Sequence, residues 1–199
     1  MHEDIETILI SEEQLRVRVA ELGAMIAHDY QEKNLLLLGT LKGAVPFIAD
    51  LARAISLPLE LDYMAVASYG NSTESSGVVR IVKDLEGPID HKHILLIEDI
   101  IDSGLTLHYL VDLLQRRNPL SLRICSLLNK ERERIREVSV DYLGFTIPDK
   151  FVVGYGLDYA QRYRNLPYVG ILKARVYEGE SRPEKRHESV AEKGALKKI

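Results

Sequence analysis

Three carboxylates, two hydroxyls and a glycine crowd into one short stretch of this chain: Glu98, Asp99, Asp102, Ser103, Gly104 and Thr106. Adjacent carboxylates repel in water, and burying them costs more. Cations or sugar hydroxyls that bind them relieve that cost. Magnesium accepts hard oxygen ligands, often through water and together with phosphate oxygens. Gly104 allows a tight turn and a close backbone approach to a ligand. Ser103 and Thr106 bring hydroxyls to the start of a helix, whose free N–H groups and positive dipole end attract an anion. Acid oxygens at one side and an anion cradle at the other suit a phosphorylated sugar. An acidic surface loop with an N-capping Ser or Thr is the plainer alternative. It accounts poorly for three acids followed by Gly104, Leu105 and Thr106 between a buried strand and a helix. The stretch lacks the Gly-Lys-Ser/Thr of a Walker loop and the Gly-x-Gly-x-x-Gly of a dinucleotide turn.

The elements around it read as an α/β protein. Ile94 to Ile97 is a continuous apolar run of the kind that forms a buried strand, Glu98 to Gly104 follows as a polar loop, and Thr106 to Arg117 carries a helical apolar face. Ser11 and Gln14 form a capping-box pattern ahead of a helix from about Glu12 to Gln31. A strand at Leu35 to Leu38 leads through Gly39 to Gly43 into a helix from about Ala44 to Ile55. Further strands are expected at Leu59 to Ser68, Val78 to Lys83, Leu122 to Leu128, Tyr142 to Ile147 and Phe151 to Tyr155. Tyr69 to Gly77 is rich in Gly, Ser, Thr and Asn and is expected to be a mobile loop. Continuous apolar strands alternating with amphipathic helices predict a central, mostly parallel sheet flanked by helices on both faces. Ligands of such sheets bind outside the carboxyl ends of the strands, where Glu98 begins. Residues 178–199 are charged, carry no aromatic residue and are expected to form a flexible tail.

The segment Glu98 to Thr106 resembles the phosphoribosyl-diphosphate motif of the type I phosphoribosyltransferases. Other segments resemble one branch, the hypoxanthine-guanine phosphoribosyltransferases: Thr40-Leu41-Lys42-Gly43, Ser68-Tyr69-Gly70, Asn129-Lys130, and Pro148 through Tyr159. The likeness spans roughly residues 8–177, with Leu105 where some members carry Lys. It implies one type I phosphoribosyltransferase-like domain over 1–177. A small hood would come from the N-terminal segment and about 145–177. The implied reaction joins hypoxanthine or guanine to the ribose of phosphoribosyl diphosphate, giving IMP or GMP and diphosphate, with Mg2+ as cofactor.

The same resemblance implies roles. Asp102 is the catalytic base toward the purine. Leu41, Lys42, Gly43, Ser68, Tyr69, Glu98, Asp99, Asp102, Ser103, Gly104, Leu105, Thr106 and Arg164 bind phosphoribosyl diphosphate, and the Leu41–Lys42 peptide is often cis. Lys130, Phe151, Val152 and Asp158 receive the purine, with Lys130 donating to the 6-oxo group. Glu98, Asp99 and Asp158 hold metal. A homodimer or homotetramer is implied as well.

Plainer readings stand beside these. Phe151 and Val152 fit an ordinary core, and Lys42 and Arg164 fit surface cations. Lys130 opens a charge-mixed run to Glu137 that reads mostly as a solvated turn, with Lys130 alone singled out. Cys125, in a strand, reads as a small buried hydrophobe. His91 and His93 flank Lys92 in a predicted exposed turn. The chain of 199 residues is 46% hydrophobic and 28% charged, ample for one globular core. Its net charge of -4 argues against nucleic acid as a partner. No apolar run reaches membrane-spanning length. A single cysteine and an acidic start without an apolar signal favour the cytoplasm. Two other readings stay open: a phosphoribosyltransferase acting on xanthine, adenine or a pyrimidine, and a regulatory protein that senses phosphoribosyl diphosphate. Asp102, Ser68 and Tyr69 count against the second.

Overall fold

The structure, a computed structural model, describes residues 1–68, 79–132, 135–136 and 138–178. The expected loop at 69–77, Tyr69 included, and the tail at 179–199 lie outside the described residues. The chain opens with a short 3-10 turn, His2–Asp4, and strand β1, Ile5–Ile10. Then come α1 (Glu12–Asp29), β2 (Leu35–Thr40), α2 (Val45–Ala54), β3 (Glu60–Ser68) and β4 (Val79–Lys83). The second half carries β5 (His93–Ile101), α3 (Leu105–Gln115), β6 (Ser121–Glu131), β7 (Tyr142–Pro148), β8 (Val152–Val153), β9 (Val169–Leu172) and α4 (Ala174–Tyr177).

Six strands form one sheet in the order β4-β3-β2-β5-β6-β7, parallel throughout except for the antiparallel β3–β4 pair. Its central strands are apolar on both faces because both faces are covered. Leu35, Leu37, Leu95 and Ile97 pack under α1 and α2, against Leu22, Ile26, Phe47 and Leu51. Leu36, Leu38, Ile94 and Leu96 point the other way, onto Leu107, Leu110 and Leu114 of α3. The α1 start is capped as its sequence predicts: Gln14 N–H donates to Ser11 Oγ at 3.2 Å, and Ser11 N–H to Gln14 Oε1 at 2.8 Å.

A second, three-stranded antiparallel sheet has the order β1-β9-β8. Val152, Leu157 and Val169 join the core beneath α1 and α2, which ties this sheet to the larger one. Ile5, Val153, Tyr163, Leu166, Tyr168 and Leu172 pack together on its other side.

Several expectations change. The strand expected to stop at Ile97 runs on to Ile101, so Glu98 and Asp99 are strand residues rather than loop residues. Pairing with β6 as far as Ile101–Asn129 holds it extended. Lys130 likewise belongs to β6 and not to a turn, because β7 pairs alongside it. The strand expected over Phe151 to Tyr155 shrinks to two residues: Gly154, at φ +100°, turns the chain away. β7 is an edge of the large sheet, so the small sheet begins beyond Pro148 rather than near 145.

Candidate active site

Extending β5 to Ile101 decides where its acids point. Successive strand residues face opposite sides of a sheet. Glu98 therefore shares the α3 side with Thr40 at the end of β2, whose hydroxyl donates to the Glu98 carboxylate. Asp99 faces the other side, toward the turn after β2. Ile100 N–H donates to Asp99 Oδ1 at 2.9 Å. A Cβ on Gly43 would stand 1.6 Å from Asp99 Oδ2, so this carboxylate lies directly on the Gly43 backbone. Burial, with the Asp99 charge beside it, pushes the Glu98 carboxyl up to about 8. Burial also raises Asp99, to about 6, and the Asp158 charge acts in the same direction. The Ile100 N–H and Arg164 oppose that rise. One of the two neighbouring acids thus holds a proton readily near neutral pH.

Beyond Ile101 the chain turns into α3 at Gly104, which has φ +79° and occupies the cap position. Gly104 has no side chain to cap this helix start, and the Leu105 N–H makes a long 3.5 Å contact with Ser103 Oγ, an arrangement that leaves the first turn able to receive an incoming anion. A cavity of about 170 Å3 opens there, lined by Glu98, Ile101, Asp102, Ser103, Gly104 and Thr106. Ser103 O accepts from the N–H groups of Ile135 and Arg136 at 3.1 and 3.3 Å. The segment after β6 thereby holds the loop in shape.

On the opposite side, the turn Leu41–Gly43 carries a cis peptide between Leu41 and Lys42. Lys42 Nζ donates to Gln161 Oε1 at 3.3 Å. Arg164 lies 2.7 Å from Asp158 Oδ1, donates to Gly156 O at 2.7 Å, and reaches Gln161 Oε1 at 3.4 Å. Asp158 Oδ2 also accepts from Gln161 N–H at 2.8 Å. Lys42, distant in sequence, therefore meets Asp158 and Arg164 around one glutamine.

Between these two regions lies a cavity of about 270 Å3, lined by Asp99, Ile100, Asp102, Lys130, Phe151, Val152, Leu157 and Asp158. Asp102 is exposed at its rim, 2.8 Å from Arg132 and 3.8 Å from Lys130 Nζ. Lys130 is largely buried and also stands 3.4 Å from Asp149. Phe151 keeps 38% of its surface exposed, which is unusual for a core ring and suits a stacking platform. Its ring stacks on Tyr177 at 5.0 Å and meets the edge of Tyr159 at 5.6 Å.

Most residues singled out from sequence thus gather at the carboxyl ends of β2, β5 and β6 and in the segment 151–164. Leu105 is the first residue of α3, one position earlier than expected. Ser68 ends β3, with its backbone paired to Val79; Tyr69 lies outside the described residues. Among the described residues no three His, Cys, Asp or Glu side chains converge to hold a metal by themselves. Cys125 is buried and unbridged, and burial pushes its thiol well above the usual range. Sequence reasoning missed Thr40, Ile100, Arg132, Leu157 and Gln161. Thr40, Ile100 and Leu157 sat inside recognised motifs without being singled out, whereas Arg132 and Gln161 carried no spacing signal.

Residues 8–160 match the phosphoribosyl transferase domain family. The chain is 56% identical to the hypoxanthine-guanine phosphoribosyltransferase of Bacillus subtilis (strain 168), over 89% of this chain and 99% of that protein. It is 52% identical to the enzyme of the same name from Mycobacterium tuberculosis (strain ATCC 25618 / H37Rv), over 88% of this chain and 90% of that one. A crystal structure of a hypoxanthine phosphoribosyltransferase from Staphylococcus aureus superposes with a TM-score of 0.86 at 47% identity, covering 89% and 96% of the two chains. The chain belongs to the phosphoribosyl transferase family and has the type I phosphoribosyltransferase fold. Within that family its branch is the hypoxanthine-guanine phosphoribosyltransferases, the enzymes of purine salvage.

Proposed function

We propose that this enzyme transfers the 5-phosphoribosyl group of phosphoribosyl diphosphate to hypoxanthine or guanine, forming IMP or GMP and releasing diphosphate. The observation that carries this reading is the cavity where Asp102, Lys130 and Phe151 meet beside the Ser103–Thr106 turn. The 5-phosphate sits on the backbone and hydroxyls of Ser103 to Thr106. Glu98 and Asp99 hold the ribose hydroxyls, and Leu41, Lys42, Gly43 and Arg164 receive the diphosphate. Ser68 and Tyr69 complete the set proposed for phosphoribosyl diphosphate, with Tyr69 outside the described residues.

A purine ring nitrogen attacks C1, the C1–O bond breaks, and its electron pair leaves with the diphosphate. Positive charge on the ribose and negative charge on the leaving group must both be stabilised. Asp102 takes the ring proton as the base attacks. It does so after yielding its contact with Arg132. Lys130 donates to the 6-oxo group; an ammonium has donors and no acceptor, so it disfavours the 6-amino group of adenine. The purine lies between Phe151 on one side and Ile100 and Leu157 on the other, with the Val152 backbone at its edge.

Magnesium fits the donor set: hard carboxylate oxygens at Glu98, Asp99 and Asp158, too few at one point for an all-protein cage, leaving places for water and phosphate oxygens. When bound, it neutralises the diphosphate and eases its departure. The small sheet β1-β9-β8 and the segment 151–164 act as the hood over the base, within one domain spanning 1–177. A homodimer or homotetramer working in the cytoplasm is part of the same proposal.

Calorimetric titration with IMP, GMP and AMP tests the purine assignment. IMP and GMP are expected to bind about a hundredfold more tightly than AMP, the upper part of what leaving one buried donor unpaired costs. Equal affinity for AMP would remove the role given to Lys130.

A further inference from the structure

Three residues assigned above to the leaving group and its metal meet at a fourth that no assignment includes. Gln161 Oε1 accepts from Lys42 Nζ at 3.3 Å and from Arg164 at 3.4 Å, and the Gln161 N–H donates to Asp158 Oδ2 at 2.8 Å. Its backbone is left-handed, φ +64°, within a run of positive φ at Ala160, Gln161 and Tyr163. Such a conformation costs free energy for a residue with a side chain and persists where its surroundings impose it. Here it turns the amide side chain toward Lys42 and the N–H toward Asp158.

We propose that Gln161 is a positioning residue for the diphosphate, holding Lys42 and Arg164 on a common acceptor until the anion arrives. The inference rests on the assignment of Lys42 and Arg164 to diphosphate. Lys42 and Arg164 carry like charges on long side chains with many rotamers. Two such cations aimed at one point repel, and ordering each costs side-chain entropy. A neutral carbonyl oxygen accepting from both offsets the repulsion without competing as an anion would. Arg164 is held from two further directions, by Asp158 and by Gly156 O. For Lys42, by contrast, Gln161 Oε1 is the acceptor the geometry provides among the described residues. Preorganised donors of this kind favour the leaving group because little ordering remains to be done as it departs. When diphosphate binds, both cations turn to its oxygens and Gln161 Oε1 is released, while its N–H stays on Asp158.

The test is Gln161→Met, which keeps length and volume and removes the acceptor. Calorimetry should show diphosphate binding weakened about tenfold, the low end of what outer-shell hydrogen-bond partners contribute. The KM for phosphoribosyl diphosphate should rise in parallel. IMP, which lacks the diphosphate, should bind within about twofold of the unaltered protein, and the KM for hypoxanthine should change as little. In a Lys42→Met background, Gln161→Met should add less than about twofold, because it acts through the lysine. Unchanged diphosphate affinity overturns the proposal. So does equal weakening of diphosphate and IMP, which would mark a purely structural residue. If the unaltered protein makes no IMP yet binds diphosphate, the function above fails while the binding comparison still decides the role of Gln161.

Discussion

Burial holds the Glu98 carboxyl up at about 8, the Asp99 charge pushes it the same way, and the Thr40 hydroxyl pulls back. The folded protein therefore binds this proton more tightly than the unfolded chain does. The associated stability is fully present below the ordinary carboxylate range and is lost as pH rises toward 8. Glu98→Gln mimics the protonated acid. In thermal unfolding without ligand, the variant and the unaltered protein should melt together at about pH 4, below the unfolded carboxyl's range, with the variant pulling ahead as pH rises to about 8.5. Parallel curves over that range would mean that Glu98 ionises normally. Asp102, exposed and set against Arg132 and Lys130, is suited to exchange partners and accept a proton. Asp102→Asn keeps the shape and removes the acceptor, so kcat should fall about a hundredfold or more. The KM for phosphoribosyl diphosphate should stay within a few-fold. Equal losses in both would count against Asp102 as the base.

Elements lock these residues together by backbone contact. The Asp99 carboxylate lies on Gly43, and a Cβ on Gly156 would stand 1.9 Å from Gly43 O with φ at +100°. The ends of β2 and β5 and the turn after β8 form one stack with no room for a side chain at either glycine. Gly156→Ala should cost about 1–3 kcal/mol, seen as a lowered Tm, and should weaken phosphoribosyl diphosphate binding as Gly43 shifts. An unchanged Tm would show that the contact relaxes freely. The large sheet and its helices were legible because continuous runs such as Leu35–Leu38 and Ile94–Ile97 are buried on both faces. The small sheet was not. In β1 the apolar residues do not alternate: Ile5 and Ile10 are buried while Ile8 is 53% exposed, and its pairing with β9 slips register twice. β8 is two residues long and exists because β9 pairs with it. Glu98, Asp99 and Asp102 announced themselves by crowding three acids at a strand end. The opposite facing of Glu98 and Asp99 depended on how far β5 pairs with β6, which the acidic sequence concealed. Gln161 and Arg132 reach the site through contacts 119 and 30 residues away in sequence, and no local pattern signals such contacts.

At the scale of the molecule, the two sheets share one core, with Val152, Leu157 and Val169 seated under α1 and α2. Phe151 and Val152 are thus carried on a rigid support, while Tyr177 and Tyr159 set the Phe151 ring from α4 and the segment before it. On the proposed assignment, the large sheet carries the ribose and 5-phosphate residues together with Lys130, and the smaller sheet with its connecting segment carries Phe151, Val152, Asp158 and Arg164. Substrate choice should therefore follow Lys130 and Phe151, and ribose recognition should follow the end of β5. The most direct measurement is nucleotide formation, followed by absorbance, from magnesium, phosphoribosyl diphosphate and each of hypoxanthine, guanine, xanthine, adenine and uracil. Rapid conversion of hypoxanthine or guanine, with adenine and uracil untouched, is the predicted result. Turnover of adenine or uracil, or no turnover of any base by protein that still binds phosphoribosyl diphosphate, would contradict it.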